Sequence, residues 1–214
     1  MRLTQHSFVI LLALLPGLPL QAQEDSSVAH PSLGFRVGRS WTVGDWRGSP
    51  ISPQIDYFGG GFSLQGDFEF VLGRSLTMGL AVEVSTFDGT EWEEFVSTRG
   101  GSLDVSARMI VFSASLRPHI PIGGNFLLKI DFGPAFALSE ASEQYAGLRF
   151  VNNSLGSSIF GATGGCELLY RATRQFGFSV HWGVHWFPSA LSYGRGNEYG
   201  VIWMPVVAGV RLSF

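Results

Sequence analysis

Apolar and polar residues alternate with a period of two along most of the chain beyond residue 32. The clearest run is Phe176-Gly-Phe-Ser-Val-His-Trp-Gly-Val-His-Trp186, where every odd member is large and apolar and every even one is Gly, Ser or His. That period sends the two sets to opposite faces of a strand. In the first such segment Leu33, Phe35, Val37, Trp41 and Val43 oppose Gly34, Arg36, Gly38, Ser40 and Thr42. A second, from about Gly60 to Val71, sets Phe62, Leu64, Phe68 and Phe70 against Ser63, Gln65, Asp67 and Glu69. In a third, Leu76, Met78, Leu80, Val82 and Val84 oppose Thr77, Gly79, Ala81, Glu83 and Ser85. The fourth, from about Gly101 to Arg117, places Leu103, Val105, Ala107 and Met109 opposite Asp104, Ser106 and Arg108. Its phase blurs at Ile110-Val-Phe112, where a bulge is expected. Segments from Phe126 to Leu138, Ile159 to Arg171 and Gly200 to Phe214 complete the set.

Eight strands are predicted, an even number that returns the chain to the side on which it started. The connections alternate in length: about 44–58, 88–100, 139–156 and 188–199 are long, 72–75 and 171–175 are tight, and 118–125 is intermediate. Long loops on one side and short turns on the other are the habit of antiparallel transmembrane barrels, whose short turns are periplasmic. Both termini are therefore expected in the periplasm.

Composition narrows the setting. The 214 residues amount to one domain, with a high aromatic share, few charges and abundant glycine. Arg2, the apolar run Phe8 to Leu15, Pro16-Gly17 and Leu20-Gln-Ala22 read as a secretory signal peptide over 1–22. A polar segment, 23–31, then leads into a barrel domain spanning 32–214. No other stretch offers the roughly 20 consecutive apolar residues of a spanning helix, so membrane residence requires strands in a closed barrel. Cys166 is the single cysteine and is expected on an apolar strand face. The formal charge of -3 is small and dispersed, which points away from nucleic acid.

Bulk decides which face meets which solvent. An interior enclosed by eight strands is just wide enough for side chains, and it has no room for Phe, Trp, Leu and Val from nearly every strand. The apolar face is thus expected to meet lipid, with the face rich in Gly, Ser, Ala and charges enclosed. A soluble secreted barrel would invert this. Trp41, Tyr57, Trp92, Tyr145, Tyr170, Trp186 and Trp203 fall near predicted strand ends, where interfacial girdles form.

The strand-turn-strand unit Gly164 to Gly177, the Gly133-Pro134 strand and the ending Gly209-Val-Arg-Leu-Ser-Phe214 resemble the outer-membrane β-barrel domain family, small eight-stranded barrels of the OmpA and OmpX kind. The likeness extends over nearly the whole mature chain. It implies an all-β, antiparallel, up-and-down transmembrane barrel in the outer membrane of a Gram-negative cell envelope. It further implies that Phe214 is part of the signal read by the barrel-assembly machinery. Outer-membrane lipids and lipopolysaccharide are the remaining expected partners, and the chain is expected to act as a monomer.

The predicted lumen gathers Asp67, Glu69, Glu83, Asp104, Asp131 and Glu167 with Arg36, Arg108, Lys129, Arg171 and Arg211. Isolated ions in a low-dielectric interior are costly, so a paired network that plugs the barrel is expected. Single-sign rings, the usual selectivity device of a channel, are not evident. His181 and His185 share a strand face but stand about 13–14 Å apart, too far for one metal ion. No metal or cofactor is expected. His185 and Ser189 invite comparison with lipid A deacylases and acyltransferases, yet no His-x-Ser-Asn sequence is present. The reading is a non-enzymatic structural or surface-interaction protein, with a lipid-modifying enzyme or a narrow channel as alternatives. Trp46, Trp92, Glu93, Glu94, Tyr145 and Tyr193 are the loop residues available to partners.

Overall fold

The computed structural model describes residues 30–43, 60–88, 97, 103–145, 148–152, 159–193 and 197–214, without the side chains of 103–105, 140–145, 148–152, 189–193 and 197–201. These residues form β1 (Ser32–Val43), β2 (Gly60–Gly73), β3 (Leu76–Asp88), β4 (Leu103–Gly123), β5 (Phe126–Tyr145), β6 (Leu148–Asn152), β7 (Ile159–Arg171), β8 (Phe176–Tyr193) and β9 (Asn197–Ser213). All pairings are antiparallel. The sheet runs β4-β3-β2-β1-β9-β8-β7-β5, and a β4–β5 ladder closes it into a barrel of eight strands. The ninth strand, β6, pairs with Ala141–Tyr145 at the loop end of β5 and is a strand that periodicity did not disclose.

Stepping from ladder partner to ladder partner around the wall makes the shear visible. From Ile120 on β4 the path visits Leu128, Leu168, Val180, Ala208, Val37, Leu64 and Val84, and returns to β4 at Ile110, ten residues from its start. A shear of this kind tilts the strands by about 35–45° from the axis. Every residue on the path is apolar, and the path winds round the outside.

Inside-out amphipathicity is explicit in the exposures. Phe62, Leu80, Phe132 and Trp182 are 51%, 44%, 53% and 48% exposed, whereas Asp67 and Lys129 are 3% and 2% exposed. Among the described residues no helix is long and apolar enough to cross a membrane. A closed antiparallel sheet with an apolar outer face suits crossing by strands, whose backbone groups pair along its ladders. Trp41 and Trp186 lie on the outer face near the loop end, and Tyr170 on the outer face near the turns. Trp203 departs from the expected girdle: it points inward and is fully buried. Tyr57 and Trp92, and the side chain of Tyr145, lie outside the described residues.

β4 corrects the sequence reading three times. Ala107, Met109 and Val111 are buried inward, while Ser106 and Arg108 are exposed on the outer face. The expected bulge is absent from the described ladder, because β3 and β4 pair without a shift from Leu76–Pro118 to Asp88–Ser106. The phase misleads because the lumen is apolar at this level, so alternation of polarity there does not report inside and outside. The strand also continues past Arg117 to Gly123, so the intermediate connection at 118–125 is a tight turn. Gly123 and Gly124 have φ of 116° and 56°, conformations that favour glycine, and they reverse the chain there.

Candidate functional site in the barrel lumen

The enclosed face of the strands builds three layers. Nearest the turns, four cations meet three carboxylates. Asp67 on β2 accepts from Arg36 Nη1 at 2.7 Å, from Arg211 Nη2 at 3.0 Å and from Arg117 Nη1. Glu69 takes Lys129 Nζ at 2.7 Å, Arg117 Nη1 at 2.8 Å and the Ser32 hydroxyl at 2.9 Å, and lies 3.1 Å from Arg211 Nη1. Glu167 on β7 receives Arg211 through Nε and Nη2, each at 3.0 Å, and lies 2.8 Å from Arg36 Nη2. The forked, two-oxygen contact between Arg211 and Glu167 is the strongest geometry such pairs adopt. Space for the layer comes partly from Gly79, where a Cβ would fall 2.3 Å from the Arg117 Cζ.

Above this layer His181 Nε2 and Asp131 Oδ1 are 2.9 Å apart. Next, Glu83 accepts from Ser85 Oγ at 2.8 Å and Gln65 Nε2 at 3.3 Å, and His185 Nε2 lies 3.1 Å from it. A hydroxyl chain, Ser40–Ser63–Ser85, runs alongside, with Ser63 and Ser85 2.6 Å apart. The loop-end layer is apolar. Phe187 stacks on Trp203 at 5.2 Å and 12°, Phe87 meets the same indole edge-on at 6.0 Å, and Met109 and Val111 are buried with them. The Trp203 Nε1–H reaches Glu83 at 3.5 Å, which joins the cap to the layer below.

Of the charges assigned to the lumen from sequence, Arg36, Asp67, Glu69, Glu83, Lys129, Asp131, Glu167 and Arg211 are buried inside. Arg171 is half-buried at the turn end of β7. Arg108 is not in the lumen; it is exposed on the outer face of β4. The side chain of Asp104 lies outside the described residues, as do Trp46, Trp92, Glu93 and Glu94 and the side chains of Tyr145, Ser189 and Tyr193. Arg117 and His119 were not anticipated, although both are buried inside and Arg117 bridges Asp67 and Glu69. Pairing across the Gly123-Gly124 turn sets His119 opposite Lys129, a residue already assigned to the lumen, and Arg117 two residues on shares that face.

The arrangement is a packed, hydrogen-bonded interior. Among the described residues five buried acids face four buried bases, Arg171 at the mouth making a fifth, and the turn-end layer interlocks both signs. Among the described residues no group of three or more His, Cys, Asp or Glu converges as a metal site.

No family model and no curated protein matches the chain. Solved structures do. Neisserial surface protein A superposes with a TM-score of 0.52 at 14% identity, covering 87% of this chain and 98% of that one. A major outer membrane protein from Thermus thermophilus gives 0.50 at 13% identity, with 87% and 100% covered. The outer membrane protein OprG from Pseudomonas aeruginosa gives 0.50 at 11%, with 88% and 98% covered. Together with the closed eight-stranded wall and its lipid-facing apolar belt, these likenesses give the chain the fold of the small outer-membrane β-barrels.

Proposed function

We propose that this chain resides in the outer membrane with its turns and termini in the periplasm, and serves there as a non-catalytic surface-interaction protein. One observation carries the surface role. A tilted strand needs about 9–11 residues to cross the hydrocarbon, and β1 has 12, but β4, β5, β8 and β9 have 21, 20, 18 and 17. The surplus of β5, β8 and β9 lies at the loop end, beyond the ladders to β7 and β1. There β6 adds a further strand, whose outer edge has no ladder partner among the described residues. Unpaired edges offer backbone donors and acceptors to another chain.

The lumen supports a sealed wall in place of a conduit. The His185–Glu83 pair with its serines, the group closest in composition to a hydrolytic site, is enclosed beneath Phe187 and Trp203, away from the lipid–water boundary where an acyl-chain enzyme works. Phe214 is 70% exposed at the turn end, with its amide donating to Pro31 at 3.0 Å, which suits a residue read by assembly factors.

Membrane fractionation with heat-modifiable gel migration, followed by protease treatment of intact cells, tests the reading. The protein is expected in the outer-membrane fraction, compact before boiling, and cut from outside only at its loop end. Recovery in a soluble fraction, or cleavage only after the outer membrane is breached, would reject it.

A further inference from the structure

The outer face of β1 presents Leu33, Phe35, Val37, Arg39, Trp41 and Val43 in order. Arg39 is the exception in that row, and the belt does not account for it. Its ladder partners are Phe62 on β2 and Val206 on β9. Val37 and Trp41 flank it on its own strand, and the diagonal positions carry Gly60, Leu64, Met204 and Ala208. No acid occupies any of these places, so the wall around Arg39 supplies no counter-charge. A guanidinium stays charged in any protein setting. On a lipid face such a charge is tolerated only near the interface, and Arg39 sits one same-face step inside Trp41, an interfacial residue type.

Toward the turns the same face opens into a groove of about 810 Å³. Phe35, Phe68, Val82 and Phe112 wall it, and Gly66 and Ala114 form its floor. A Cβ placed at Gly66 would meet nothing within 4 Å, so the groove there is a missing side chain in the row Phe35–Gly66–Val82–Phe112. Phe35 lies four residues from Arg39, about 13 Å along the strand, which at the strand tilt is about 10 Å of depth and falls within one leaflet of a ~30 Å core.

We propose that Arg39 and this groove together hold one phosphate-bearing lipid of the loop-end leaflet, its phosphate on the guanidinium and an acyl chain laid back along β1 and β2 over Gly66. Arg108 lies on the same ladder row, beyond Phe62 and Thr86. The tilt carries it about 10 Å farther toward the loop end, and Glu140 is its partner on β5. It is therefore an outlying contact, and the site centres on Arg39. The choice of a phosphorylated glycolipid rests on the outer-membrane reading above, which fractionation tests separately.

The full barrel, refolded in zwitterionic detergent, is incubated with bisphosphorylated lipid A, with the same lipid enzymatically dephosphorylated, or with inorganic phosphate, and bound lipid is counted by native mass spectrometry. The wild type is expected to retain the bisphosphorylated lipid and to release the dephosphorylated one. Arg39→Leu should lower retention by roughly tenfold, the loss of a charge-assisted phosphate contact, while Arg39→Lys restores part of it. Gly66→Leu, which fills the groove, should also weaken retention with Arg39 intact. Heat-modifiable migration shows that each variant is folded, and Arg39→Gln replaces Arg39→Leu if the latter is not. Equal retention of both lipids, or retention unchanged in Arg39→Leu, overturns the proposal. So does displacement of the lipid by inorganic phosphate alone, because that would make the site one for a free anion. A protein found in the outer membrane whose Arg39 variant binds normally sinks this inference and leaves the functional reading standing.

Discussion

Asp67 is the residue on which the enclosed charges converge. Three guanidinium groups, those of Arg36, Arg117 and Arg211, all contact its two oxygens, and its side chain is wholly buried. A buried ion pair is seldom a large net gain over apolar packing, but removing one partner leaves the others desolvated and uncompensated. Asp67→Asn keeps the shape and deletes the charge, leaving four cations with Glu69 and Glu167. The expected loss is about 3–5 kcal/mol, read as a lower urea midpoint for the barrel refolded in micelles. Arg108→Ala is the matching control, since that guanidinium lies on the outer face and makes no ion pair among the described residues. Its midpoint should not move. If the two variants unfold alike, the lumen network does not stabilise the barrel.

At the scale of the strand, β4 is the element in which sequence and structure part, and its phase can be measured. In a Cys166→Ser background, Arg108→Cys is expected to react with a membrane-impermeant thiol reagent on folded protein, and Met109→Cys to be protected. The reverse would restore the phase that polarity alone suggests. β2 and β8 were legible because their enclosed residues, Ser63 to Glu69 and Gly177 to His185, lie mostly in the polar layers of the lumen. There polar means inside, so alternation and orientation agree. Along the first half of β4 the enclosed residues are Ala107, Met109 and Val111, which belong to the apolar cap. Trp203 on β9 was misplaced for the same reason: an indole near a strand end satisfies the girdle pattern whichever way it faces. β6 escaped notice because it pairs only with the far end of β5, where neither face need match a membrane or a core.

For the whole barrel, the layers fill the bore at two levels in series, and conductance is the measurement that separates a structural wall from a channel. Near the turns the bore is occupied by Arg36, Arg117, Lys129 and Arg211 interlocked with Asp67, Glu69 and Glu167. Near the loops it is occupied by Phe87, Phe187 and Trp203 in ring contact. An ion entering from either side meets fixed charges of both signs or an apolar constriction, and neither substitutes for its hydration shell as a selectivity filter does. Planar-bilayer recording of the native barrel is therefore expected to show no stable unitary current. The triple variant Phe87→Ala, Phe187→Ala, Trp203→Ala should remain silent, because it opens the loop-end seal and leaves the ionic layer in place. Only when Asp67→Asn is added, so that Arg36, Arg117 and Arg211 lose their shared anchor, should a small conductance emerge, favouring anions through the surplus of cations. Steady conduction by the native protein would show that the interlocked charges rearrange readily enough to pass ions. Conduction by the triple variant would assign the seal to the rings alone and reduce the network to a scaffold.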